Sequence, residues 1–217
     1  MTASSESAFA ALGIVPVLTI DDFSLAVPVG EALMAGGLPC VEVAFRTAGA
    51  AKAIAAIRAQ LGDMLIGAGT VLTRDQADLA VQSGAQFIVS PGIHRAVTEW
   101  CLEHKIPVFP GIATATEIAV ALDYGLTVLK FFPAEQLGGV AMLRALSAPY
   151  RSVRFLPTGG VSSENLSRYL SEPSVVACGG SWMVKRELIS AGNFKEITAR
   201  AQQARDIVEE VRKVVAA

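Results

Sequence analysis

Along the chain, short apolar runs rich in β-branched residues alternate with alanine-rich stretches of helical character. The runs are GIVPVLTI (13 to 20), CVEVAF (40 to 45), LIGAGTV (65 to 71), QFIVSPG (86 to 92), PVFPGI (107 to 112), LTVLKFFP (126 to 133), VRFLPTGG (153 to 160) and SVVACGG (174 to 180). Helical patterns such as AGAAKAIAAIRAQLG and TRDQADLAVQSGA fall between them, the second with Thr73 as its N-cap. The pattern predicts eight strands, seven intervening helices and a long C-terminal helix. Strands apolar on both faces suit a parallel sheet covered by helices, and eight βα units close into a single (β/α)₈ TIM barrel. An open doubly wound sheet would carry a GxGxxG turn after its first strand, where this chain has TIDDFS. No linker, charge block or low-complexity segment interrupts the alternation, so residues 1–217 are expected to form one domain, with the polar positions 1–8 frayed.

Composition narrows the class. A chain of 217 residues that is 52% hydrophobic can bury one large core. A net charge of -2 gives no basic footprint for nucleic acid or an anionic membrane, so small molecules are the expected partners. Cys40, Cys101 and Cys178 lie far apart without CxxC spacing, which indicates neither a zinc site nor a disulfide framework and suits a reducing, cytoplasmic setting. The N-terminus lacks a basic n-region, and no run of 18 apolar residues occurs, so neither signal peptide nor membrane span is expected.

Three charged residues break the apolar rule of the strands. Side chains alternate faces, so Lys130 shares a face with Val128 and Phe132, and Glu42 shares one with Ala44 and Arg46. Each has an ordinary structural reading: the lysine can snorkel to solvent at the rim, and the glutamate and arginine can form an ion pair at a strand end. Together they describe a convergent polar site at the C-terminal ends of the strands, where barrel enzymes carry their chemistry. An amine of ordinary pKa, about 10.4, is only about one part in a thousand neutral near pH 7.4, so a nucleophilic lysine needs apolar neighbours or a second cation. Phe132, Val128 and Arg46 are candidates for that role. A neutral lysine attacks a ketone to form a Schiff base, a carboxylate such as Glu42 moves the protons, and a guanidinium such as Arg46 clamps a carboxylate.

The last two strands end in PTGGVS (157 to 162) and CGGSW (178 to 182). Glycine lets backbone amides approach a phosphate, and the loops after strands seven and eight of a barrel are its usual phosphate site, although a Gly-Gly pair also serves an ordinary tight turn. His94 and His104 are the only histidines, too few for a metal cluster; Trp100, Cys101 and Met142 are expected to pack on helices.

The segments EVAFRT, GAGTVL, SPG, PGIATATE, LKFFPAE, FLPTGGV and GGSW occur in that order, and together they resemble the 2-keto-3-deoxy-6-phosphogluconate (KDPG) aldolases, a family that also covers 4-hydroxy-2-oxoglutarate aldolases. The likeness runs from about residue 12 to 200. It implies a class I, Schiff-base aldolase of the Entner-Doudoroff pathway on a (β/α)₈ barrel, assembled as a homotrimer, needing no cofactor or metal. By resemblance Lys130 is the Schiff-base lysine and Glu42 the general acid/base. Arg46 and Thr70 hold the carboxylate of the pyruvyl half, Pro91 and Phe132 wall the pocket, and Thr158 contacts a hydroxyl of the sugar-acid chain. Gly159, Gly160, Gly180 and Ser181 match phosphate contacts. Ala44 stands where many relatives carry a hydroxyl residue and Phe45 where leucine is frequent, which bears on substrate selectivity. The resemblance also implies that Thr158, a type of residue the related phosphogalactonate aldolases tend to lack, tilts the chain toward phosphogluconate. The alternatives are an aldolase for 4-hydroxy-2-oxoglutarate or 2-keto-3-deoxy-6-phosphogalactonate, or a non-catalytic barrel that binds phosphorylated ligands.

Overall fold

The computed structural model describes residues 5–215. Its strands are β1 (Ile14–Leu18), β2 (Cys40–Ala44), β3 (Leu65–Gly69), β4 (Phe87–Val89), β5 (Val108–Phe109), β6 (Gly111–Ile112), β7 (Val128–Phe131), β8 (Arg154–Pro157) and β9 (Cys178–Gly180). All of their pairings are parallel, in the orders β5-β4-β3-β2-β1-β9 and β6-β7-β8. β5 and β6 are halves of one barrel strand divided at Pro110, whose carbonyl accepts from the Lys130 amide at 2.9 Å. Proline has no N–H to give the ladder, so the first half pairs with β4 and the second with β7. Bridges between Phe155 and Val175 and between Thr158 and Gly179 close the ring from β8 to β9. The nine segments thus occupy eight barrel positions, as the apolar runs predict.

The strands are shorter than those runs. Residues 174 to 177 precede the regular part of β9, and the ends of the other runs bend into the loops above the barrel. The seven helices between barrel strands are α2 (Ala26–Ala35), α3 (Ala50–Gln60), α4 (Arg74–Gln82), α5 (Arg95–Glu103), α6 (Ala115–Asp123), α7 (Gly139–Ser147) and α8 (Leu166–Leu170). The long C-terminal helix is α10 (Phe194–Val215), preceded by the short α9 (Arg186–Ser190). Thr73 caps α4 as expected, accepting from the Gln76 amide at 3.2 Å. Thr114 and Glu117 form a reciprocal box at α6, the glutamate accepting from the Ala113 amide at 2.8 Å.

One expectation is corrected at the N-terminus. Residues 5–8, expected to lack regular structure, begin α1 (Ser5–Leu12), while 1–4 lie outside the described residues. The helix is held because Phe9, 1% exposed, enters the lower mouth of the barrel. There its ring meets Phe87 edge-on at 4.9 Å and Phe109 at 5.0 Å between centroids. Val15, Cys40, Val89, Val128, Leu156 and Ala177 complete this inner core. The outward faces of the strands pack on the helices in a second, larger core that includes Ile14, Val41, Ile66, Leu129 and Phe155.

Candidate active site

Above the aromatic plug, two charged side chains meet inside the barrel. Lys130 projects inward from β7 and Glu42 from β2, and Lys130 Nζ lies 3.3 Å from Glu42 Oε1 with the residues 5% and 4% exposed. That separation exceeds the 2.7 to 2.9 Å of a tight charge-assisted bond, leaving the pair in contact but not locked. The Phe132 ring, one inward position further along the chain, has its centroid 5.3 Å from Nζ. The lysine is therefore buried against a carboxylate and an aromatic ring, not snorkelling.

Two glycines make the arrangement fit. A Cβ at Gly69 on β3 would lie 2.0 Å from Glu42 Oε1, so the carboxylate occupies the space of a missing side chain on the neighbouring strand. A Cβ at Gly179 on β9 would lie 2.3 Å from Thr158 Oγ1. Gly67 plays the same part lower down, where a Cβ would strike the Phe87 ring at 2.1 Å.

Lys130, Glu42, Thr158 and Gly179 line a small void at the top of the inner core. Thr158 and Gly179 also line a cleft of about 660 Å³ at the C-terminal mouth, so the void that holds the lysine and glutamate shares a wall with it. Arg46, Phe132, Gly159, Gly160 and Ser181 line this cleft. Arg46 reaches it from the turn after β2, and its Nε donates to Thr70 Oγ1 at 3.2 Å. Thr70 has a φ of 56°, a left-handed conformation that turns the chain sharply at the end of β3.

Besides Lys130 and Glu42, three expected site residues stand apart from the cleft lining. Thr70 connects to it through Arg46, and Pro91 lies in the loop after β4. Gly180 follows Gly179, which alternation along β9 gives to the cleft lining, and a Cβ on Gly180 would enter the Trp182 ring at 1.9 Å. Gly179 could have been found by counting strand alternation back from Ser181. The sequence reading also missed Thr19, Gln136, Lys185, Arg186 and Glu187, all on the cleft wall. Lys185 and Arg186 carried no signal because exposed cations at the start of a helix look like ordinary surface.

The loops after β7 and β8 are fastened to each other. The Ala134 amide donates to Thr158 O at 2.8 Å and the Glu135 amide to Gly159 O at 3.1 Å. Behind them the Tyr169 hydroxyl donates to Glu135 Oε1 in a short bond. Burial, then this bond, raises the Tyr169 hydroxyl above its ordinary pKa. Gly159 and Gly160 have φ of 96° and 81°, and a Cβ on Gly160 would press on Glu135 Cβ at 2.6 Å. Neighbouring strands thus bring the segments KFFPAE and PTGG into one clamp.

The three cysteines are free and buried. Burial pushes the Cys101 thiol up to about 12, and it raises Cys40 and Cys178 further, with the Glu42 carboxylate adding to the shift at Cys40. His104 stacks on Trp100 at 4.4 Å between ring centroids and stays on the outer helix layer.

The chain matches the family model for KDPG and KHG aldolase over residues 6–208. It is 54% identical over 195 residues to the 2-dehydro-3-deoxy-phosphogluconate aldolase of Treponema pallidum, covering 90% of this chain and 93% of that one. It is 42% identical over 201 residues to the KHG/KDPG aldolase of Escherichia coli K12, covering 93% and 94% of the two chains. Among solved structures, the KDPG aldolase of Legionella pneumophila, with pyruvate captured as a covalent carbinolamine intermediate, superposes with a TM-score of 0.90 at 39% identity, covering 94% of this chain and 99% of that one. The KDPG aldolase of Zymomonas mobilis ZM4 with 3-phosphoglycerate gives 0.85 at 38% identity, covering 92% and 94%. With a barrel that carries an inward lysine and glutamate under an open cleft, and likeness over nearly its whole length, the chain belongs to the KDPG and KHG aldolase family.

Proposed function

We propose that this chain is a class I aldolase that cleaves 2-keto-3-deoxy-6-phosphogluconate to pyruvate and glyceraldehyde 3-phosphate through a Schiff base on Lys130. The observation that carries this reading is the buried contact of Lys130 Nζ with Glu42 Oε1 at 3.3 Å, in a void that shares Thr158 and Gly179 with the cleft. The Legionella relative, in which pyruvate is held covalently, supports it.

The neutral Lys130 amine adds to the C2 carbonyl, and the carbinolamine loses water to give an iminium. Glu42 is the group in reach of Nζ for the accompanying proton transfers. As base, directly or through water, Glu42 takes the proton of the C4 hydroxyl. The C3–C4 bond breaks with its electron pair passing into the iminium, which becomes an enamine. Glyceraldehyde 3-phosphate leaves, the enamine is protonated at C3, and hydrolysis of the renewed iminium releases pyruvate and restores the amine. Phe132 and the apolar walls limit water around the reacting nitrogen.

In this reading Arg46, steadied by Thr70, holds the pyruvyl carboxylate, and Pro91 and Phe132 bound that half of the pocket. Thr158 serves a hydroxyl of the chain, and Gly159, Gly160, Gly180 and Ser181 receive the phosphate. Gly179 contributes by leaving Thr158 its space. No metal or cofactor is required, because the iminium is the electron sink.

A second substrate, 4-hydroxy-2-oxoglutarate, is favoured by the Escherichia coli relative, which is named for both activities. A coupled assay of pyruvate release with each compound tests the reading. Efficient cleavage of the phosphorylated acid supports it, and release from neither compound contradicts it. A homotrimer and a cytoplasmic location complete the proposal. Light scattering giving about three times the 22.7 kDa chain mass supports the first, and a monomer mass contradicts it. Among the described residues no helix is long and apolar enough to cross a membrane.

A further inference from the structure

The cleft extends past the neutral donors of the two glycine loops to a rim formed by Val184, Lys185, Arg186 and Glu187. Lys185 sits where the turn Trp182–Val184 meets α9, with extended backbone at φ -62° and ψ 141°. Its side chain makes no hydrogen bond or ion pair among the described residues, whereas Arg186 approaches Asp21 at 3.7 Å. Formal charges on this rim cancel, Lys185 and Arg186 against Glu187 and Asp21, so no broad positive field draws anions there. Selection between ligands must come from a cation close enough to touch one.

Resting on the aldolase reading, we propose that Lys185 is a specificity-determining residue that favours substrates ending in a phosphate dianion over those ending in a carboxylate. Backbone amides and the Ser181 hydroxyl supply hydrogen bonds but no compensating charge. A phosphate group carries about -1.5 to -2 at pH 7. It therefore gains more from a nearby free ammonium than does the singly charged end of 4-hydroxy-2-oxoglutarate. Arg46 provides the cation for the other end of the substrate, so the cleft offers one available cation for each anionic terminus.

The test compares wild type with Lys185→Ala, Lys185→Glu and Lys185→Arg on both substrates, at low and raised salt. For a rim charge of this kind, Lys185→Ala is expected to lower kcat/KM for the phosphorylated substrate roughly fivefold, mostly through KM, with the loss shrinking as salt rises. Lys185→Glu is expected to lower it further and Lys185→Arg to retain most of it, while cleavage of 4-hydroxy-2-oxoglutarate falls clearly less than that of the phosphorylated substrate in Lys185→Ala and Lys185→Glu. Equal losses on both substrates, or no loss on either, overturn the proposal. Calorimetric titration with inorganic phosphate reads the same site without turnover: weaker binding to Lys185→Glu supports the assignment, and equal binding rejects it. Borohydride trapping of pyruvate, unchanged in the Lys185 variants if the aldolase reading holds, separates failure of this assignment from failure of that reading.

Discussion

Glu42 owes its position to Gly69: the space taken by its carboxylate is the space a Cβ on the next strand would fill, 2.0 Å from Oε1. The two residues are offset along paired strands, since Glu42 is registered against Gly67 and Ala44 against Gly69. Gly69→Ala is expected to push the carboxylate away from Lys130 without placing any new group in the cleft. Turnover should fall by roughly the 10² to 10⁴ that general acid/base catalysis contributes, with KM changed far less. Unaltered kcat in a folded Gly69→Ala protein, measured by pyruvate release, would show that Glu42 needs no such space.

The Lys130–Glu42 pair also makes a prediction about stability. Removing one partner of a buried pair leaves the other uncompensated at a cost of about 3 to 5 kcal/mol, whereas replacing both with apolar groups is often neutral or stabilising. Lys130→Ala is expected to unfold at markedly lower urea concentration than wild type, and the double variant Lys130→Met with Glu42→Leu to recover most of the loss. Equal destabilisation in the single and double variants would contradict the pairing. Lys130→Arg is expected to be inactive, because a guanidinium stays protonated and forms no imine.

Phe9 closes the lower mouth of the barrel against Phe87 and Phe109. Phe9→Ala should cost about 3 to 5 kcal/mol, the range for deleting a buried aromatic ring. A urea titration showing a loss below about 1 kcal/mol would mean that α1 is dispensable to the barrel.

The buried thiols set an alkaline limit. Burial raises Cys101 from its ordinary value of 9.0 to about 12. Between those values the unfolded chain releases the proton and the folded chain keeps it, so stability is fully present below about pH 9 and falls as pH climbs toward 12. Each such thiol contributes a slope of roughly 1.4 kcal/mol per pH unit over its own window. Cys101→Ala is expected to flatten the loss of denaturation midpoint above pH 9, and an unchanged slope would contradict this.

Much of this was readable in the chain because the barrel repeats one rule. Lys130 and Glu42 stood out as charges within apolar strands, and period two gave the neighbours that share their faces, while the paired strands show those faces meeting inside the barrel. Arg46 reached the same cleft, though from a turn beyond β2 and not from the strand face that periodicity assigned to it. Where selection acts through empty space, the pattern was silent: Gly69 and Gly179 matter for the side chain they lack, which appears only when strands are paired. α1 was missed because its first residues are polar and its single anchor, Phe9, makes contacts distant in sequence. Lys185 was missed because its meaning depends on the cleft beside it.

The most direct test of the central claim is to incubate the protein with pyruvate, reduce with borohydride and locate the added mass by peptide mapping. The account predicts a single reduced pyruvyl adduct on Lys130, absent from Lys130→Ala. Labelling at another lysine, or none under conditions that label a control aldolase of the Schiff-base class, would contradict it.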